Sequence, residues 1–134
     1  MNPIQLSISP TPTFELQGVP KLKGYKKMPY LEQQVDLGFT HDGRPAGFYM
    51  GELVGYVPES HAGLISQALT IAAFNSLLPY AKAIHRGMGP KRVVEICVAP
   101  NAVEQLLAEG AQLPPQNYTA PLPAAPKRRG LFRR

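Results

Sequence analysis

The chain has 134 residues, a length that suits one domain. Its 44% hydrophobic content is ordinary for a globular protein, whereas its 15 prolines are about twice the usual share. The single cysteine, Cys97, excludes an intrachain disulfide and a cysteine-based metal site, and its apolar surroundings in the sequence predict a buried, inert thiol. The N-terminus lacks the basic and apolar regions of a signal peptide, so we expect a cytoplasmic protein.

The net charge of +5 is unevenly distributed. Residues 1–27 carry a net charge of +3, residues 28–110 carry −3, and residues 111–134 carry +5. Separated signs of this kind suggest terminal segments that bind an anionic partner or fold back on an acidic body. We therefore divide the chain into an extended basic N-terminal arm (1–27), a compact domain (28–110) and a disordered, proline-rich basic tail (111–134).

Two strand-like runs flank the sequence HDGRP. Asp-Gly is a strong hairpin signal, because glycine accepts the positive φ of a tight turn, so we expect strands over residues 33–40 and 46–57. Gly47, Gly51 and Gly55 recur at every fourth position of the second run, which would place them on one face of a strand. A face without side chains suits close packing by a helix or close approach by a ligand.

A long helix is predicted over residues 60–86. Ser60 would be its N-cap, Gly87 its C-cap, and Pro79 would kink it. Residues 62–81 carry no charge, but their polar side chains favour a buried helix over a transmembrane span. The apolar residues surround the axis of this helix on all sides. Because one small sheet covers only one side, we expect a homo-oligomer whose second copy helps to cover the helix.

The remaining elements complete the predicted fold. A short strand is expected over residues 3–8, a central strand over 91–98, and a short helix between Asn101, as its N-cap, and Gly110. We predict an α+β fold with a small mixed or antiparallel sheet that contains a β-hairpin, packed on one long central helix, plus a short C-terminal helix. This order of elements is too generic to indicate a family.

Candidate catalytic and metal-binding residues form no recognisable pattern. His61 and His85 would lie about 36 Å apart at the two ends of the predicted helix, too far for a shared metal. His41 lies in the turn, where it is common for conformational reasons. Ser60 and His61 are neighbours on a helix and are not expected to face each other productively. We therefore expect no catalytic residue, no metal, no cofactor and no enzyme activity.

The basic segments indicate a different chemistry. Lysine and arginine neutralise phosphates, and aromatic rings stack on unpaired bases. The sequence KLKGYKKMPY interleaves lysines with tyrosines, and the sequence KRRGLFRR concentrates arginines beside a phenylalanine. The predicted phosphate contacts are Lys21, Lys23, Lys26, Lys27, Lys127, Arg128, Arg129, Arg133 and Arg134. The predicted stacking residues are Tyr25, Tyr30 and Phe132.

The leading hypothesis is a non-enzymatic nucleic-acid-binding protein, with single-stranded or nonspecific nucleic acid as its partner. The alternative is a structural or assembly subunit, such as a virion component, whose extended arms dock on neighbouring chains. An adaptor or inhibitor that docks on a partner protein belongs to the same alternative, and an acidic protein surface would then be the partner. Neither hypothesis needs a transmembrane segment.

Overall fold

The computed structural model describes residues 2–6, 8–19, 30–87 and 92–124, and the structural statements below refer to these residues. Within them the chain forms seven strands and two helices. The strands are β1 (Asn2–Gln5), β2 (Phe14–Glu15), β3 (Tyr30–Phe39), β4 (Pro45–Tyr49), β5 (Glu52–Tyr56), β6 (Leu77–Arg86) and β7 (Val93–Cys97). The helices are α1 (Glu59–Phe74), which lies between β5 and β6, and α2 (Ala102–Ala108).

The strands form one curled, mostly antiparallel sheet in the order β2–β7–β6–β3–β4–β5, and β1 pairs in parallel with β6. Strands account for 38% of the structure and helices for 22%. The predicted architecture, a small sheet packed on one long central helix, is therefore wrong. The sheet is the larger part, and the helices are two small elements that pack on it and on each other.

The predicted long helix is in fact a helix followed by a strand. Helix α1 ends at Phe74, and Ser76 adopts a φ of 56°, so the backbone changes direction at this point. The rest of the predicted helix is β6. The apolar residues that would have surrounded one helix axis therefore belong to two elements. This removes the reason for expecting a second copy to cover the helix, and the homo-oligomer stays a prediction.

Two further details of the predicted helix are also wrong. Pro79 lies within β6 and kinks no helix. Strand β3 pairs with β6 only from Tyr80 onward, so the missing N–H of Pro79 does not interrupt that ladder of hydrogen bonds. The N-cap position of α1 is occupied by Pro58, which makes no side-chain capping bond, and Ser60 lies inside the first turn.

The Asp-Gly hairpin is confirmed, since β3 and β4 pair up to Phe39 and Pro45 around a turn in which Gly43 has a φ of 86°. The second predicted strand, over residues 46–57, is two strands. Met50 and Gly51 both have positive φ and form a two-residue turn between β4 and β5. Gly51 therefore shares no strand face with the other two glycines of the repeat.

Gly47 and Gly55 are cross-strand partners on β4 and β5, and Leu16 packs against both. A Cβ built on Gly55 would lie 2.8 Å from Leu16 Cβ, and one built on Gly47 would lie 3.3 Å from Leu16 Cδ1. The sequence suggested that a helix or a ligand would pack on the face without side chains. In the structure, the N-terminal segment of the chain packs there instead.

The same segment joins the two ends of the curled sheet. Leu16 comes directly after β2, and its N–H donates to the carbonyl of Val94 in β7 at 2.8 Å. One residue later, Gln17 exchanges two backbone hydrogen bonds, of 2.7 and 2.8 Å, with Tyr56 of β5. Residues 13–17 include β2, the strand at one end of the order, and connect β7 to β5 at the other end.

One face of the sheet carries the hydrophobic core. Along β3, Val35 and Leu37 are buried whereas Gln34 and Asp36 are exposed, as expected for a strand with one face in the core. Helix α1 packs against β3, β4, β6 and α2. The largest core side chains include Leu6, Leu16, Ile65, Ile71, Ile96 and Leu106.

The last two predicted elements are confirmed. Strand β7 lies within the predicted 91–98 run, and α2 lies between Asn101 and Gly110. Gly110 ends the helix with a φ of 103°. Asn101 occupies the N-cap position but makes no side-chain capping bond, so its predicted cap is wrong.

Both ends of the chain contribute residues to the described fold. Phe14 and Leu16 are buried in the core, and Ala120 is buried near the other end. The Gln112 N–H donates to Asn75 Oδ1 at 2.9 Å, and Asn75 Nδ2 donates to the Gln112 carbonyl at 2.9 Å. The division into arm, domain and tail stays a prediction, because much of each end lies outside the described residues.

Candidate nucleic-acid interface

Most of the predicted nucleic-acid contacts lie outside the described residues. These are Lys21, Lys23, Tyr25, Lys26, Lys27, Lys127, Arg128, Arg129, Phe132, Arg133 and Arg134. Tyr30 is the exception, and its backbone begins β3, where it pairs with Arg86 of β6. Arg86 pairs in turn with Val93, the first residue of β7.

The described fold fixes where the two basic segments meet the body. The segment that contains the lysines joins the sheet at Tyr30, the first residue of β3. At the other end of β3, the Leu122 side chain lies 3.8 Å from the Cβ position of Gly43, in the turn that follows the strand. The ten residues of β3 span about 30 Å at about 3.3 Å per residue. The lysine segment begins, at its other end, after Val19, whose Cγ2 lies 3.3 Å from the Cβ position of Gly55 on β5.

The described part of the chain is acidic. It contains all nine acidic residues of the protein and only four of its fourteen basic residues, which leaves a net charge of −5. The other ten basic residues lie in the remaining segments. Lys82 forms an ion pair with Glu32 at 3.0 Å, and Arg86 forms one with Glu95 at 2.6 Å. A phosphate backbone would therefore meet net negative charge on the body and positive charge on the basic segments.

Arg44 differs from these paired cations. Its guanidinium lies over the ring of Tyr56, with Cζ 3.6 Å from the ring centroid, and the residue is exposed. Among the described residues, no carboxylate forms an ion pair with it. Arg44 carries no signal in the sequence, because its aromatic partner lies twelve positions later and the pairing of β4 with β5 brings the two together.

Ser60 and His61 do face each other, which corrects the prediction made from their spacing. Ser60 Oγ and His61 Nδ1 lie 2.9 Å apart in the first turn of α1. The His61 ring also packs against Phe14, with 4.9 Å between centroids. In the part of the chain that the structure describes, no carboxylate hydrogen-bonds to His61, so the pair lacks the third group that orients the histidine of a catalytic triad.

His85 is buried in β6, so the prediction that it ends the same helix as His61 is wrong. Its Nε2 lies 2.8 Å from Oε1 of Gln33 on the neighbouring strand β3. Burial, together with the positive charge of Arg92, lowers the pKa of His85 from 6.5 to about 4. The imidazole is therefore neutral at physiological pH and acts as a core hydrogen-bonding group.

Cys97 is buried, as predicted. Burial raises the pKa of its thiol above the ordinary value, which keeps it protonated and unreactive near neutral pH. Across residues 2–6, 8–19, 30–87 and 92–124, no group of three or more metal-binding side chains comes together. In the same ranges no helix is long and apolar enough to cross a membrane.

Two of the grooves on the surface of the described residues are shallow. One, of about 360 Å³, is lined by polar side chains of β1, β3 and β6, among them Gln5, Gln34 and Lys82. The other, of about 500 Å³, lies between β1 and α2 and includes Ile8 and Glu109. Both are open to solvent and neither brings together a set of basic side chains that would suit phosphate.

Comparison with known proteins finds no protein family, no curated protein and no solved structure that matches this chain.

Proposed function

We propose that this protein is a non-enzymatic nucleic-acid-binding protein whose basic segments bind the phosphate backbone. The observation that carries the proposal is the separation of charge along the chain, with a net charge of −3 over residues 28–110 and of +3 and +5 over residues 1–27 and 111–134. Neutralising phosphates releases condensed counterions, so clustered lysines and arginines give affinity for any sequence.

The acidic body limits where a nucleic acid can lie. Exposed carboxylates on the outer face of the sheet, such as Asp36, repel phosphates, so contacts concentrate at the basic segments. The tyrosines beside the lysines would stack on unpaired bases, which favours single-stranded over double-stranded nucleic acid.

The first test compares the full chain with a chain that ends at residue 124, which keeps Gln112 and Ala120 in place. Binding of labelled single-stranded and double-stranded DNA and RNA would be measured at about 50 and 200 mM salt. These concentrations differ by about a factor of four, which is enough to determine the slope of log K against log salt. We expect the affinity of the full chain to fall steeply with salt, and the truncated chain to bind more weakly with a shallower slope.

A second variant replaces Lys21, Lys23, Lys26 and Lys27 with glutamine, and its control replaces the same residues with arginine. The arginine control keeps the charge, so it should bind at least as tightly as the parent, whereas the glutamine variant should bind more weakly. Absent binding, or binding that does not depend on salt, would rule out the proposal.

The alternative, an assembly subunit or adaptor, is favoured by one observation. Met50, 83% exposed, and Tyr49, 39% exposed, lie side by side at the tip of the β4–β5 hairpin, where a protein partner would bury both. Deleting residues 1–20 is a poor test of this alternative, because the deletion removes Leu6, Phe14 and Leu16 from the core. Replacing Met50 with asparagine is the cleaner test, since loss of self-association without loss of nucleic-acid affinity would support a docking role.

A further inference from the structure

We propose that Arg44 is a phosphate contact on the folded body, next to the point where the C-terminal basic segment leaves it. The inference rests on the proposed nucleic-acid-binding function, which it extends from the basic segments to a described residue. The ligand is a backbone phosphate, which a guanidinium binds through two parallel hydrogen bonds.

The backbone of Arg44 is fixed by its turn. The Arg44 N–H donates to Oγ1 of Thr40 at 3.1 Å, and the Arg44 carbonyl accepts from the Thr40 N–H at 2.8 Å. Gly43, with its positive φ, donates to the Thr40 carbonyl at 2.9 Å. Both backbone polar groups of Arg44 are therefore used, and the side chain starts from a rigid position.

The side chain is held as well. The guanidinium lies 3.6 Å from the centroid of the Tyr56 ring, a cation–π contact. Tyr56 is in turn fixed by its two backbone bonds to Gln17, and its ring packs so closely on Gly18 that a Cβ there would lie 3.2 Å from Cδ2. Stacking occupies one face of the guanidinium and leaves its N–H groups, which lie in the plane, directed outward.

Within the described residues, no carboxylate forms an ion pair with Arg44. The nearby carboxylate of Asp42 accepts a hydrogen bond from the Thr40 hydroxyl, which is the main cause that lowers the Asp42 pKa, and the charge of Arg44 lowers it to a smaller extent. Lys82, by contrast, is paired with Glu32 at 3.0 Å. Within the described residues, Arg44 combines exposure, a fixed orientation and no paired carboxylate, which is the arrangement that a phosphate contact needs.

The position of Arg44 also suits the basic tail. Leu122 lies against the same turn, beside Gly43. Lys127 follows five residues later, a reach of at most about 17 Å for an extended chain. The proposal therefore has one nucleic acid contact both the basic tail and Arg44, with Arg44 as the contact whose position the fold fixes.

The test compares Arg44→Gln with Lys82→Gln, which makes the same change in net charge at an ion-paired position. Binding of a fluorescent oligothymidylate of 20 nucleotides would be measured between 50 and 200 mM salt, a range that defines the slope of log K against log salt. We expect Arg44→Gln to bind several-fold more weakly at low salt and to reduce that slope by about 0.7, the value for one single-strand phosphate contact. Lys82→Gln should keep the parent slope.

A second variant, Arg44→Lys, keeps the charge but loses the planar, stacked geometry, so its affinity should lie between those of the parent and Arg44→Gln. Thermal unfolding of each variant would show that the fold is intact. If the parent binds with a steep salt dependence and Arg44→Gln matches Lys82→Gln, the inference about Arg44 fails and the proposed function stands. If the parent binds no nucleic acid, both fail.

Discussion

Gly55 lies so close to Leu16 that a Cβ on the glycine would stand 2.8 Å from the leucine Cβ. The same Cβ would lie 3.2 Å from the Gln17 carbonyl oxygen, so the obstacle includes backbone and cannot rotate away. Leu16 is itself only 1% exposed. The fit of the N-terminal segment on β5 therefore depends on the absence of a side chain at this position.

Gly55→Ala should destabilise the protein by about 2–3 kcal/mol, because the new methyl group displaces the segment that joins the ends of the sheet. The matched control is Gly63→Ala, in the interior of α1, where a Cβ meets nothing within 4 Å. This control should raise stability by up to about 1 kcal/mol, since alanine is the better helix former. Urea unfolding of both variants measures the difference, and the same sign for both would contradict the packing argument.

Stability should depend on pH through His85. Its pKa is about 4 in the folded protein and near 6.5 when unfolded, so the unfolded chain binds a proton first as the pH falls. The contribution of neutral His85 is fully present above pH 6.5 and is lost progressively down to about pH 4. The total loss is about 3 kcal/mol, from 1.36 kcal/mol for each pKa unit.

His85→Gln provides the control for this prediction. The glutamine does not titrate, so the unfolding free energy of the variant should fall less between pH 7 and pH 4 than that of the parent. The variant is expected to be less stable at pH 7, because the contact with Gln33 and the packing around the ring change. Parallel pH profiles for the two proteins would show that His85 does not carry the acid sensitivity.

Asn75 should determine how firmly the segment after α2 is held. Its side chain donates to the Ile71 carbonyl at 2.8 Å and exchanges two 2.9 Å hydrogen bonds with Gln112. Asn75→Ala should lower stability by about 1–2 kcal/mol and speed proteolysis of residues 112–122. Asn101→Ala is the control, because that side chain makes no capping bond and its loss should cost less than about 0.5 kcal/mol. Equal protease sensitivity in the two variants would count against the tether.

Met50→Asn should stabilise the protein by about 0.5–1 kcal/mol. Met50 has a φ of 51°, which costs less for asparagine than for methionine, and Asn-Gly is the preferred pair for a two-residue hairpin turn. Gly51→Ala, with a φ of 83° at the mutated position, should have the opposite effect. Thermal unfolding measures both, and a less stable Met50→Asn variant would mean that the methionine makes contacts worth more than its backbone strain.

The elements with simple patterns could be predicted from the sequence. The hairpin turn follows from its Asp-Gly pair, and β7 follows from a short apolar run. The end of α2 follows from the glycine at position 110. The boundary between α1 and β6 could not, because the charge-free run from Ala62 to Ala81 suits a helix and a buried strand equally well. The turn that separates them uses Ser76 at positive φ, a residue that carries no strong turn signal.

The candidate site divides in the same way. The clusters of basic residues are visible in the sequence, because local charge density needs no knowledge of the fold. The contact of Arg44 with Tyr56 depends on strand register, which the sequence does not reveal. The hydrogen bond between Ser60 and His61 was not predicted, because adjacent side chains on a helix usually point in different directions.

The closure of the sheet by residues 13–17 also determines the order in which the protein can be completed during synthesis. Thr13 Oγ1 donates to the Ile96 carbonyl, a residue 83 positions later in the chain. At ribosomal rates of about 5–20 residues per second, the N-terminal segment waits roughly 4–16 s for its partner strand to be made. Phe14 stays without its partner Ile96 during that time, so the end of the sheet formed by β2 is completed only after β7 has been made.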